Sequence, residues 1–236
     1  MLSHEFLDAE ISEVRTKYPE LQLKSPSVLE GILHMRAEYE GSALNDNFTV
    51  QITASNPHSS RLPALREIGG RTEAIAKKYG ITDYRNLHRN YDGTACVCIK
   101  QVEKQQFPPG SSLIVFVEEL VVPYLYGLSH FEQHGKWPWP DYSHGALGLL
   151  EFYADNTQEQ TREDIAEVIA TIRRDPNWKL YHKQLRKPSS KRSCLCGSRK
   201  PFDECHSKAW RGIAPLRAEL QRLGLNLAGL FNSQSG

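Results

Sequence analysis

Two stretches with a period of two set the architecture of this chain. Leu29, Gly31, Leu33, Met35, Ala37 and Tyr39 alternate with Glu30, His34, Arg36 and Glu38. Phe48, Val50, Ile52 and Ala54 alternate in the same way with Thr49, Gln51 and Thr53. Successive side chains of a strand point to opposite faces, so such runs pack as strands with one apolar face. Asn45-Asp46-Asn47 reads as turn material between them. A third apolar segment, Leu62 to Ile68, stops at Gly69-Gly70. Ahead of the strands, residues 3–18 read as an amphipathic helix. Leu7, Ile11, Val14 and Tyr18 recur at helical steps, with Ser3 as N-cap and Pro19 near the stop. A helix followed by a strand meander is an α+β layout.

A short helical patch, Thr72 to Tyr79, closes at Gly80 and leads to Leu87-His88-Arg89-Asn90-Tyr91-Asp92-Gly93-Thr94-Ala95-Cys96-Val97-Cys98. Asp92-Gly93 supplies the positive φ of a tight turn and brings an imidazole and an amide near a thiol. A reactive cysteine needs such neighbours, because the thiolate is the nucleophile and an acyl transfer develops an oxyanion that wants a donor. His88-Arg89-Asn90 followed by Ala95-Cys96-Val97 resembles the active-site segment of ubiquitin-conjugating enzymes, two residues shorter and with Arg89 where proline is usual. The Asp-Gly-x-Ala-Cys run, a following helix (Leu113, Phe116, Val117, Leu120, Val121, Tyr124, Leu128, with Pro123 kinking or dividing it), Trp137-Pro138-Trp139-Pro140 and Ser143-His144-Gly145 opening a helix through Tyr153 are similar to the divergent prokaryotic members. The resemblance covers about residues 3–155.

It implies a ubiquitin-conjugating-type fold, an antiparallel meander sheet with flanking helices, in which Cys96 accepts an acyl group as a thioester. Cys98 shares a face with Cys96 if the segment is extended, and spacing does not choose between them; the family match favours Cys96. Asn90 is the candidate oxyanion donor or an Asx-turn residue. His88 orients the loop, Asp92 modulates an incoming amine or, the favoured reading, sets the turn, and His144 is a weaker site candidate. His130 and His134, one helical turn apart, read as surface residues.

Thr161-Arg162-Glu163-Asp164 is a capping box before the stripe Ile165, Val168, Ile169, Ile172. Lysines and arginines then accumulate around Pro188-Ser189-Ser190, and residues 179–192 read as a solvated basic linker between a domain 1–178 and a module 193–236; the rival reading is an anchoring patch for an acidic or nucleic-acid partner, favoured only if salt strongly weakens binding. In that module Cys194 and Cys196, then Cys205 and His206, present three thiolates and an imidazole suited to a tetrahedral Zn²⁺. The run Cys-x-Cys-Gly-Ser…Cys-His resembles the zinc knuckle at the C-terminus of the SecA translocation ATPase. A full protein ligand set makes the zinc structural, and so short a segment needs its metal to fold. Pro215 to Leu223 reads as a short closing helix.

A formal net charge of +1 over 236 residues gives no global field, so composition does not argue for nucleic acid or an anionic membrane, and a nucleic-acid partner is not expected. No export signal is visible and the apolar region from Leu113 carries Glu118, Glu119 and Pro123, which argues against a membrane span and for a cytoplasmic protein. The expected function is that of a bacterial acyl (ubiquitin-like protein) transferase in a conjugation or antiphage defence setting. Its partners are an activating enzyme, a ubiquitin-like modifier or other activated protein, and a protein target. No Gly-rich phosphate loop is present, so adenylation falls to another enzyme. The alternatives are a catalytically inactive zinc-bearing adaptor and a cysteine hydrolase using Cys96 with a histidine.

Overall fold

A computed structural model describes residues 5–55, 62–140, 142–156 and 158–227; Ser3, the expected N-cap, lies outside them. The chain forms two compact units, Met1–Pro140 and Asp141–Gly236.

In the first unit, α1 (Asp8–Lys17) buries Ile11 and Val14. Its start is held by Glu10, whose carboxylate accepts the Leu7 N–H at 3.0 Å. The strands β1 (Leu21–Ser25), β2 (Val28–Tyr39), β3 (Ser42–Thr53) and β4 (Ala64–Glu67) form one antiparallel sheet in chain order. β2 and β3 pair continuously from Val28↔Thr53 to Tyr39↔Ser42. That register sends Leu29, Leu33 and Met35 to the same buried face as Phe48, Val50 and Ile52. Each such fully buried side chain contributes about 1.5–3 kcal/mol. Gly31 is required where β1 crosses it, since a Cβ there would sit 2.0 Å from the Glu20 carbonyl oxygen.

The turn between β2 and β3 is not Asn45-Asp46-Asn47. The chain reverses at Glu40 (φ 49°) and Gly41 (φ 78°), a pair of positive φ values that matches the twist of the strands it joins. Asn45, Asp46 and Asn47 stand inside β3 opposite Arg36, Met35 and His34. Cross-strand and tertiary partners override their turn propensity. Asn47 Oδ1 lies 2.7 Å from His34 Nδ1, and Asp46 accepts from Arg71 at 2.5 Å and from Ser129 at 2.8 Å.

After α2 (Arg71–Tyr79), which ends on left-handed Gly80, and α3 (Lys100–Gln106), three segments run as one helical stretch. They are α4 (Leu113–Phe116), a π-helical turn (Val117–Val121) and α5 (Val122–His134). Pro123 has no N–H to give the helix ladder; just before it the Val122 N–H reaches back five residues to the Val117 carbonyl, and the helix continues. By length and composition Leu113–His134 could cross a membrane, but 67% of its most apolar window is buried within the protein. Phe116, Leu125 and Leu128 are core residues alongside Leu33, Ile75 and Leu87. Gly127 on α5 makes room for an indole: a Cβ would fall 2.2 Å from the ring of Trp137.

The second unit is helical: α6 (Ala146–Asp155), α7 (Arg162–Arg174), α8 (Trp178–Arg186), α9 (Phe202–Cys205) and α10 (Ser207–Arg222). Thr161 caps α7 by a reciprocal pair of bonds with Asp164. α6 and α10 touch backbone to backbone, for a Cβ on Gly212 would lie 1.7 Å from the Leu150 carbonyl oxygen. Two expectations differ from this unit. α10 begins at Ser207, so Pro215 lies inside it; burial of Gly212, Ile213 and Leu216 outweighs the lost ladder bond. Residues 179–192 are no linker either. Most of α8 falls among them, burying Tyr181, Gln184 and Leu185, and the Gln184 amide clamps Ser189 through two 2.9 Å bonds. Composition registers only the exposed basic face of that helix. The division between compact units falls at Pro140/Asp141, not near 179.

Candidate functional site

The segment from Tyr84 to Cys98 is built as a fastened hairpin. A 3₁₀ turn (Tyr84–Leu87) is capped by Asp83, whose carboxylate accepts the Arg85 N–H at 3.1 Å. His88 then takes a left-handed conformation (φ 51°), uncommon for a residue with a Cβ, and the chain reverses. The His88 carbonyl accepts the Cys96 N–H at 2.7 Å, and Arg89 bridges Ala95 in antiparallel fashion. Asn90 N–H donates to the Thr94 carbonyl at 2.8 Å, and Gly93 (φ 85°) supplies the positive φ at the tip. The Ala95 N–H donates to the Leu65 carbonyl at 2.8 Å, which ties the hairpin to β4.

The polar side chains of the tip satisfy one another. Asp92 Oδ1 accepts the Thr94 hydroxyl at 2.6 Å and the Thr94 N–H at 3.0 Å, while Asn90 Nδ2 donates to Thr94 Oγ1 at 3.0 Å. Hydrogen bonds from Thr94 hold the Asp92 carboxyl below the ordinary aspartate range, so it is an anion at neutral pH. Asp92 is thereby spent on the turn. Asn90 is exposed, and one of its two amide hydrogens is engaged within the loop.

Ala95, Val97 and Cys98 pack against the apolar core, and Cys96 stands half-buried among them with its Sγ 3.8 Å from the Cys98 carbonyl. Burial pushes the Cys98 thiol up to about 12, and the nearby Glu103 carboxylate and Cys96 add to the effect. A thiol in that state carries little thiolate at neutral pH and is a poor nucleophile. Below the hairpin, Trp137 donates its indole N–H to the Asn86 carbonyl at 3.0 Å, and the His88 ring meets it edge-on at 4.5 Å. Tyr124 is buried under the same turn, its hydroxyl 3.4 Å from the Leu87 carbonyl, and burial raises its phenol above the ordinary range.

Spacing put Tyr124 on the helix stripe and Trp137 in the Trp-Pro-Trp-Pro segment without placing either under the hairpin, and Glu103, whose charge acts on Cys98, had no signal beyond being an acid a few residues on. Beside the hairpin lies an open groove of about 580 Å³ lined in part by Glu73, Asp83, Arg85, Arg89, Tyr91 and Asp92. Arg89 crosses it to pair with Glu73. Tyr91, 89% exposed, projects at its rim. His144 belongs to the second unit, half-buried just ahead of Gly145 and α6. His130 and His134 have ring centroids 4.4 Å apart on α5, and His130 Nδ1 lies 2.9 Å from the Lys136 carbonyl.

The second cysteine group converges fully. Cys194, Cys196, Cys205 and His206 bring their ligand atoms within 4.8 Å of one another, close enough to hold a metal ion. Gly197 (φ 85°) turns the chain directly after Cys196, and Cys194 N–H donates to the Lys200 carbonyl at 2.9 Å. Cys205 ends α9 and His206 begins the turn into α10. Tetrahedral zinc with Zn–S near ~2.3 Å separates two thiolates by about 3.8 Å, and Cys196 Sγ lies 3.8 Å from Cys205 Sγ. Cys194 Sγ is 3.1 Å from His206 Nδ1. Burial raises the Cys194 thiol to about 12. For Cys196 burial acts the same way, but hydrogen bonds led by that from Ser198 bring it down to about 7. A cation among the four would be compatible with zinc and would deprotonate all three thiols. Phe202 and Trp210 meet edge-on at 5.8 Å beside the cluster.

Comparisons with protein-family models, with curated proteins and with solved structures found nothing that matches this chain.

Proposed function

We propose that the first unit is a cysteine acyl carrier of the ubiquitin-conjugating type, with Cys96 as its nucleophile, and that the second unit carries a structural zinc. The observation that carries this reading is the pairing of a fastened hairpin with two unequal thiols: both are half-buried, but Cys98 packs against the apolar core and burial pushes its thiol up to about 12, while Cys96 stands at the hairpin's end with a backbone carbonyl as its neighbour. The helix, the four-stranded meander and the later helix and tryptophan in that order support the family resemblance.

In the proposed cycle the Cys96 thiolate attacks the carbonyl of a donor protein's thioester. The new C–S bond forms as the donor's C–S bond breaks, and the donor thiolate leaves and takes a proton. An acceptor amine then attacks the Cys96 thioester, forms the amide and returns the Cys96 thiol. The second amide hydrogen of Asn90 is the donor assigned to the oxyanion in both steps, and His88, seated on Trp137, positions the loop. Cys194, Cys196, Cys205 and His206 would hold zinc with no open position, which gives it an architectural role.

The test is to incubate the chain with an activating enzyme, ATP and candidate modifiers. A reductant-sensitive adduct lost in Cys96→Ala and retained in Cys98→Ala is the expected result; an adduct that tracks with Cys98, or none with any modifier, overturns the reading. One observation favours a second reading, a non-enzymatic scaffold: Asn90, Asp92 and Thr94 already satisfy each other at the tip. On that reading Cys96→Ala leaves the biological phenotype intact.

A further inference from the structure

The net charge of the chain hides a concentration of one sign. Between Arg173 and Lys200 ten lysines and arginines stand against a single acid, Asp175. This run is folded: α8 buries Tyr181, Gln184 and Leu185 and turns Lys179, Lys183 and Arg186 to solvent at steps of four and three, with Lys187 next to them. The metal-ligand loop adds exposed Arg199 and Lys200. That loop adjoins the helix at both ends. Arg192, just ahead of Cys194, caps α8 by donating to the Lys187 carbonyl, and a Cβ on Gly197 would lie 3.6 Å from the Asn177 amide. Lys191 is paired with Asp203 and Glu204, whereas none of the six exposed cations has an acidic partner among the described residues.

We infer that this face of the second unit binds a nucleic-acid duplex through its phosphates. A protein partner or a membrane would need apolar anchors as well as charge. Among the described residues, the large apolar side chains most exposed to solvent are Leu7, Leu23, Ile32, Ile68, Tyr79 and Tyr91, all in the first unit. Six cations on a surface without such an anchor suit a partner read by charge alone, and the phosphate backbone is that partner. Single strands are held chiefly by stacking on open aromatic rings. Trp178, at the start of α8, is half-buried and already carries the Lys179 ammonium 5.8 Å from its ring centroid. A duplex needs no such platform.

The experiment is fluorescence anisotropy of the full, zinc-loaded chain with labelled 24-base-pair RNA and DNA duplexes, the corresponding single strands and polyglutamate, across a salt series. Expected is duplex binding whose log affinity falls against log salt with a slope of about −4 to −5, as about five phosphate contacts give. Lys179→Gln/Lys183→Gln/Arg186→Gln should weaken it at least tenfold and flatten the slope by about 2 to 3, while Lys179→Arg/Lys183→Arg leaves it unchanged. Helical content and zinc stoichiometry of each variant establish that it is folded. No duplex binding at low salt, an unchanged slope in the triple variant, or tighter binding to single strands or polyglutamate than to duplex would each overturn the inference.

Discussion

Cys96-Val97-Cys98 and Cys194-Leu195-Cys196 are the same three-residue pattern with opposite outcomes. In the hairpin both thiols are half-buried; the second packs against the apolar core and the first has a backbone carbonyl as its neighbour. In the ligand loop the first thiol is buried and the second exposed, and both meet Cys205 and His206 because Gly197 reverses the chain. The spacing of a cysteine pair therefore says little by itself. The residues just after the pair, a helix start in one case and a glycine turn in the other, decide its fate. One arrangement leaves two half-buried thiols beside the apolar core, the other brings two thiols into a group close enough to hold a metal ion.

The largest effect expected from this contrast is metal dependence. Cys205→Ser or a strong chelator should remove one bound metal ion per chain and unfold the segment from Ser193 to the start of α10, since structural zinc contributes on the order of 10 kcal/mol in small modules. Cys96→Ser should leave metal content and melting untouched. Metal analysis and calorimetry of both variants check it, and equal behaviour of the two would break the contrast.

Next in size is the inequality within the hairpin. A thiol raised to about 12 should alkylate about a thousandfold more slowly at pH 8 than one at the ordinary 9.0. Its rate should climb tenfold per pH unit until the pH passes that value, because only the thiolate reacts. Mass-spectrometric labelling of Cys96→Ala measures Cys98 alone; fast labelling at pH 8 would show that Cys98 is not the poorer nucleophile. Gly212→Ala should cost about 1–3 kcal/mol or more by forcing α10 off α6. Chemical denaturation checks that value, and Gly110→Ala, at a left-handed position where a Cβ meets nothing, gives the cost of backbone strain without a clash. Smallest is Thr94→Val, which removes a hydroxyl serving both Asn90 and Asp92 and should cost about 1 kcal/mol. If Asn90 also serves the oxyanion, the same variant slows adduct formation without altering which cysteine carries it.

The strands were legible because burial enforces a period of two, and Leu29 to Tyr39 keeps it except at Ile32, an apolar residue on the exposed face. β1 was not found: five residues with only Leu21 fully buried give no pattern of their own, and its place comes from pairing with β2. Asn45–Asn47 misled because turn propensity is local, whereas Arg71, Ser129 and His34 reach those side chains from elsewhere. The Cys194, Cys196, Cys205 and His206 cluster was readable since a group able to hold a metal needs few residues and fixed donors. α8 was hidden by its own composition, where six basic residues between 179 and 192 drown three buried ones. At the hairpin the cysteine and the Asp-Gly turn were visible; the indole beneath it was not, because Trp137 is close to His88 only once α5 is in place.

That indole also sets a schedule. During synthesis, a nascent chain that has not yet emerged as far as residue 137 has no ring for His88 to rest on and no partner for the Asn86 carbonyl. Cys96 leaves the ribosome some forty residues ahead of Trp137, so the hairpin that carries this thiol gains its indole support only after all four strands have emerged.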